Sequence, residues 1–150
     1  MLNTYFSVTL DHSGACAATP VDFWHTKAID PAVTTTWNST TSYWLTKLDT
    51  RSGNANEGGG CGTTQPDDPM EFSSAAMKTL VQTTATNKTG TLTFGLRAPN
   101  ENDGGQWKKF HPATAKLTVE YNIAPRTPLS FTTVPPTPCG TATAPTALNT

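Results

Sequence analysis

Apolar residues recur at every second position in several short stretches of this chain, the spacing of a strand with one buried face. In residues 4–10, Phe6, Val8 and Leu10 fall on one face and Tyr5, Ser7 and Thr9 on the other. A second run starts at Pro20, with Val21, Phe23 and His25 opposed to Asp22, Trp24 and Thr26. The strongest alternation lies in 91–96, where Leu92, Phe94 and Leu96 interleave with Thr91, Thr93 and Gly95. Met70-Glu71-Phe72 reads as a strand end, and Trp107–Phe110 followed by Lys116–Tyr121 reads as an antiparallel ending. One segment changes period: Met77, Leu80, Val81 and Thr84 follow the i, i+3, i+4, i+7 spacing of a helix, with Ser73 or Ser74 placed to cap it. The pattern predicts an all-β antiparallel sandwich with a single short helix lying as a lid over its end.

Loop chemistry separates these runs. Residues 30–46 are threonine-rich and carry Trp37, Tyr43 and Trp44 with little alternation, which predicts a structured loop and a short strand near 43–48. Residues 52–69 are dominated by Gly, Asn, Asp and Pro and read as loop throughout. After Tyr121 the composition shifts. Residues 123–150 hold Pro125, Pro128, Pro135, Pro136, Pro138 and Pro145 and a single charged side chain, Arg126. The chain therefore divides into a β-sandwich module at 1–122 and a Pro/Thr-rich C-terminal extension at 123–150 that leads into a following β domain. The start, Leu2-Asn3-Thr4-Tyr5, has neither a basic nor a continuous apolar segment of the secretory kind and reads like the middle of a strand. The expectation is a piece of a larger exported protein, cut after its first strands.

Composition narrows the function. Charged residues make up 14% of the chain, against ~25% for ordinary soluble domains, and 30 residues are threonine, whose branched β-carbon suits strands better than helix surfaces. A net charge of −1 supplies no basic field for phosphates, so nucleic-acid binding is excluded as the main activity. No window of 18 apolar residues is present, so membrane insertion through a helix is excluded as well. The three cysteines are too far apart for a CxxC-type metal site. Cys16 and Cys61, each in a Ser/Gly/Ala-rich loop, are expected to form a disulfide; reduced thiols are the competing reading, and Cys139 is left over in the Pro-rich tail.

From Tyr5 to Tyr121 the chain resembles the DNRLRE-type β-sandwich modules of secreted actinobacterial multidomain proteins, which often stand beside LamG-like domains. The resemblance is carried by Phe6-Ser-Val-Thr with Cys16 following, Pro20-Val-Asp-Phe-Trp-His-Thr, Thr35-Thr-Trp-Asn and Lys47-Leu-Asp-Thr-Arg. It continues through Met70-Glu-Phe-Ser, Leu92-Thr-Phe-Gly-Leu-Arg-Ala, Trp107-Lys-Lys-Phe and Ala115-Lys-Leu-Thr-Val-Glu-Tyr. It implies a jelly-roll-like sandwich similar to carbohydrate-binding modules, secreted or attached to a cell surface, without catalysis of its own.

Sugar recognition needs aromatic rings to stack on pyranose faces, with amides and carboxylates bonding the hydroxyls. Trp24, Tyr43, Trp44 and Trp107 are the candidate ligand-binding residues, with Trp37 a further supply of aromatic surface. A packing role competes at each, most strongly at Trp37 and Trp107. Adjacent Tyr43 and Trp44 cannot both point inward from a strand. Asn100, Glu101 and Asp103 place oxygen ligands at short spacing and suit Ca²⁺, without the spacing of an EF-hand; a solvated hairpin turn is the stronger reading of the same residues. Asp67-Asp68 and Asp11-His12 are similar, cation ligands on one reading and turns on the other. No catalytic motif occurs, His12, His25 and His111 are dispersed, and no cofactor is expected beyond that loop's suitability for Ca²⁺. Two functions follow: an extracellular accessory module binding a polysaccharide or cell-surface glycan, or a spacer whose partners are only the neighbouring domains of its own polypeptide.

Overall fold

A computed structural model describes residues 3–58 and 60–125. Among these described residues, six strands form two antiparallel three-stranded sheets. The first has β1 (Asn3–Ser13) at its centre between β4 (Asp68–Phe72) and β6 (Lys108–Glu120), and the second has β2 (Thr19–Thr26) between β3 (Trp44–Gly53) and β5 (Thr93–Arg97). The two central strands are the first two alternating runs of the sequence, while the run with the strongest alternation forms the edge strand β5. Phe6, Val8 and Leu10 of β1 and Val21 and Phe23 of β2 point into the space between the sheets, joined by Leu48, Met70 and Phe72. The observed fold is thus the expected β-sandwich, with its one helix. The expected Pro-rich extension, from 126 onward, and Cys139 lie outside the described residues.

Phenylalanines hold the layers together. Phe6 stacks on Phe23 with ring centroids 4.8 Å apart, and Phe23 lies 5.1 Å from Phe72 and 5.0 Å from Phe94. Phe6 and Phe72 belong to one sheet, Phe23 and Phe94 to the other, and Phe23 and Phe72 are fully buried. Offset ring pairs contribute on the order of 0.5–1.5 kcal/mol each beyond the area they bury.

Helix α1 (Ala75–Asn87) begins where Ser74, in an extended conformation, accepts a hydrogen bond from Met77 N at 3.1 Å. It ends at Lys88, which adopts the left-handed conformation (φ 53°) while Thr89 N donates to Thr84 O at 3.2 Å. Met77 and Val81 are its buried residues, and it packs against β1 and β3, one strand from each sheet.

Two strands differ from the sequence expectation. β3 runs to Gly53, well past 48, because cross-strand polar contacts take the place of apolar alternation: Thr50 Oγ1 donates to Asp22 Oδ1 at 2.6 Å and Lys47 lies 3.6 Å from the same oxygen. The antiparallel ending is one strand, β6, carried through Pro112. Its register against β1 jumps from Lys116 opposite Ser7 to His111 opposite Thr9, so residues 112–115 form a bulge. Thr114 Oγ1 accepts from Thr9 N at 2.8 Å and donates to His111 O at 2.7 Å, supplying the acceptor that the bulge removes from the ladder.

The two long sides of the sandwich are unlike. Where β3 meets β4, Ser73 N donates to Asp49 Oδ2 at 2.8 Å and Arg51 Nε to Glu71 O at 3.0 Å. Between β5 and β6 lies an apolar groove of about 430 Å³ lined by Phe94, Leu96, Phe110 and Pro112 among others. At one end Lys108 Nζ spans the gap, donating to Thr19 Oγ1 at 2.7 Å and Gly53 O at 2.9 Å. Burial between these groups pushes its ammonium below the usual lysine range.

The expected disulfide is present, Cys16 to Cys61 across 45 residues with the Cα atoms 5.4 Å apart. No described helix is long and apolar enough to cross a membrane.

Two stability predictions follow, both read from urea denaturation midpoints. Phe23→Ala removes the ring shared by both sheets and should cost about 3–5 kcal/mol. Replacing Cys16 and Cys61 together by serine frees the 45-residue loop and should cost on the order of 4 kcal/mol; a change below about 1 kcal/mol in either case would contradict these roles.

Candidate functional site

With Val21 and Phe23 turned inward, Trp24 is placed on the outer face of the second sheet, opposite Gly95 of β5. Gly95 is required there by close approach. A Cβ at that position would come within 2.8 Å of the Trp44 ring, which covers the strand. Trp24 meets Trp44 edge-on at 6.1 Å, and Trp37 lies 5.6 Å from Trp44. Arg97, two residues beyond Gly95 on the same face, sets its guanidinium 5.1 Å from the Trp44 ring centroid, 5.7 Å from Trp37 and 5.9 Å from Trp24. Its Nε is 3.4 Å from Glu101 Oε1. Three indoles and one guanidinium form a single packed unit, in which Trp24 Nε1 is buried without an acceptor.

The threonine-rich stretch before β3 acts as a mount for Trp37. A 3-10 helix spans Asn38–Tyr43. Thr36 N donates to Ser39 Oγ at 2.8 Å, and Thr40 donates to Thr36 O through both its amide (3.1 Å) and its hydroxyl (2.9 Å). These hydroxyl bonds to the local backbone favour turns over regular structure. They hold Trp37 outward, 51% exposed.

Trp107 is 54% exposed and follows a turn formed by Gly104–Gln106. The His12 ring meets it edge-on at 5.9 Å. Trp37 and Trp107 line the same cleft of about 320 Å³, with Arg97, Glu101 and Gln106 beside them. Trp37 and Trp107 are the two most exposed tryptophans, outside the core and held by loop hydrogen bonds and ring contacts.

Of the expected ligand-binding residues, Trp107 lines this cleft, whereas Trp24 and Trp44 do not: they pack against each other on the outer face of the second sheet, and Trp44 reaches the cleft only through its contact with Trp37. Tyr43 does not line that cleft. It shares a separate hollow of about 110 Å³ with Trp44, Ile29 and Thr40, and Lys27 Nζ lies 5.6 Å from its ring centroid. Arg97 and Gln106 were missed. Arg97 was legible in principle, since it is in phase with Gly95 on a strand that pairs with β2.

In the 100–106 loop, each proposed Ca²⁺ ligand already has a partner within the chain. Asn100 Oδ1 accepts from Asn102 N at 3.1 Å, Asp103 accepts from Gly105 N (2.9 Å) and Gln106 Nε2 (3.1 Å), and Glu101 pairs with Arg97.

A second polar group lies on the outer face of the first sheet. His111 Nε2 is 3.1 Å from Asp67 Oδ2 and 3.5 Å from Asp11 Oδ1, while Lys109 pairs with the other oxygen of Asp11. The hydrogen bond from Lys109 holds the Asp11 carboxyl below its ordinary value of 3.8, burial opposing and the positive charges of Lys109, His111 and His12 adding to the depression.

Comparison with protein-family models, curated proteins and solved structures finds no significant match.

The Asp11 shift fixes the sign of one pH effect. A carboxyl whose folded value is depressed stabilises the fold above its unfolded value of ~3.9 and loses that contribution as pH falls through the lower folded value. Asp11→Asn should therefore lower the urea midpoint near neutral pH, and the gap to the parent protein should shrink below about pH 4. An unchanged gap down to the acid limit would show that the Lys109 pair does not contribute in this way.

Proposed function

We propose that this chain is a non-catalytic, extracellular accessory module that binds a polysaccharide or cell-surface glycan. The observation that carries the reading is the cleft between Trp37 and Trp107, two indoles that are each more than half exposed and stand beside Arg97 and Glu101. Exposed tryptophan surface is costly in water and useful against the apolar face of a sugar ring. A guanidinium, a carboxylate and an amide offer both donors and acceptors to the hydroxyls. The cleft volume falls at the lower end of the range for small-ligand sites, ~300–1,000 Å³, which suits one or two sugar units of a longer chain.

The Cys16–Cys61 disulfide supports an oxidising compartment, and with it a secreted or cell-surface setting. A jelly-roll-like connection of the strands and membership among DNRLRE-type modules are part of the same proposal. They rest on the order of motifs in the sequence and on the observed pair of three-stranded sheets.

The rival, a spacer whose only partners are neighbouring domains, is favoured by one feature: Arg97 and Glu101 already satisfy each other beneath the indoles. Affinity electrophoresis on soluble polysaccharides, backed by a glycan array, separates the two. Binding is expected, and Trp37→Ala and Trp107→Ala should each weaken it about tenfold or more, equivalent to ~1.4 kcal/mol. Folded protein that is retarded by no polymer, or variants retarded as strongly as the parent, would favour the spacer.

A further inference from the structure

We infer that Asp11, Asp67 and His111 form a binding site for a divalent first-row transition metal on the outer face of the β4-β1-β6 sheet. Each ligand is brought by a different strand. Asp11 lies in β1 at the register shift between Leu10 and His12, His111 stands opposite Thr9 in β6, and Asp67 immediately precedes β4, whose Asp68 pairs with Leu10. Residues 56 apart and 44 apart in the chain thus meet because the sheet order puts β1 in the middle. The site is distinct from the tryptophan cleft, which opens between β5 and β6 and is lined by none of these three residues.

The geometry is close to that of a metal shell before the metal arrives. Zn²⁺ bound tetrahedrally to nitrogen and oxygen at ~2.0–2.1 Å separates neighbouring ligand atoms by about 3.4 Å. Here His111 Nε2 is 3.1 Å from Asp67 Oδ2 and 3.5 Å from Asp11 Oδ1, and all three ligand atoms lie within 4.8 Å of one another. Only the two carboxylates need to draw closer, and a cation between them supplies the force. Nε2 of His111 carries one proton or one lone pair, so it cannot bond both carboxylates at full strength. Asp67 Oδ1 is, in addition, shut off from solvent with no donor. A divalent ion shared by the three side chains satisfies the lone pair and both charges together.

Lys109 does not occupy the ligand position. It pairs with Asp11 Oδ2, whereas Oδ1 is the oxygen turned to the imidazole. The ammonium therefore sits behind the ligand and orients it, as outer partners of metal-bound carboxylates do. With one imidazole and two carboxylates the donor set suits Zn²⁺ or its first-row neighbours better than Ca²⁺, which takes six to eight oxygens. Three protein ligands leave further positions for water.

Equilibrium dialysis of the oxidised full chain against Zn²⁺ tests the inference, with Co²⁺ absorption as a readout of coordination and thermal melts as a readout of folding. One equivalent of Zn²⁺ is expected, with a rise in melting temperature. His111→Ala and Asp67→Asn should each weaken binding by about tenfold or more, the lower bound for losing even an outer-shell partner. Asp103→Asn, in the 100–106 loop, should leave it unchanged. Asp67 is 38% exposed at its side chain and outside the core, so Asp67→Asn keeps the test decisive if His111→Ala fails to fold. Absence of saturable Zn²⁺ binding to the parent, or binding that survives both variants, overturns the site.

Discussion

The ring of Phe23 is the contact on which the rest of this molecule depends. It touches Phe6 and Phe72 of one sheet and Phe94 of its own, all within 5.1 Å for the three centroids. A three-stranded sheet buries little surface by itself, and neither layer here is wide enough to stand without the other. The inward direction of Phe23 also decides the outward direction of Trp24, since neighbouring side chains on a strand alternate. The core and the aromatic face are therefore one constraint seen from two sides.

The second organising feature is the difference between the sandwich's two long sides. Asp49 and Arg51 stitch β3 to β4 by charged hydrogen bonds to the opposing backbone, which are stronger than neutral ones. The β5 and β6 side has an apolar groove instead, with Phe94 and Phe110 only partly buried. At the end of that side the sheets part enough for the Trp37 and Trp107 cleft, while Lys108 ties β6 back to Thr19 and Gly53. The cleft is thus located by the sandwich's unequal closure rather than by any local motif.

Strand faces were legible because alternation is a local signal. The two faces of the Phe6, Val8, Leu10 run and of the Val21, Phe23 run can be read without a partner, although which face of the second run is buried cannot, and the helix is marked by its period and its serine cap. What was not legible depended on pairing. β3 reaches Gly53 because Asp22 on another strand binds Thr50 and Lys47, and β6 runs as one strand because Thr114 compensates its bulge. The tryptophans fell between these cases. Their number was evident, but the exposure of Trp37 is set by a threonine-capped turn, and Arg97 joins them only through the register of β5 on β2. Asp11, Asp67 and His111 were each visible as polar punctuation, yet nothing along the chain brings them to one place.

An exposed aromatic side chain binds weakly if it must first be ordered, because fixing a free rotamer costs roughly 0.5–1.5 kcal/mol at the moment of association. The two cleft tryptophans differ from that case. Trp37 is braced on one flank by Trp44 and Arg97 and rooted in a turn closed by Thr36, Ser39 and Thr40. Trp107 is set by the 3-10 turn before it and by the edge of His12. Both rings keep about half their surface open while their positions are fixed by folding. Arg97 and Glu101 are neutralised by each other, which keeps the floor of the cleft from selecting strongly for charge. On the proposed reading, a neutral, hydroxyl-rich polymer is the partner that such rigid, weakly charged surfaces would suit, with the hydroxyls of Thr36, Ser39 and Thr40 locking the turn that carries Trp37.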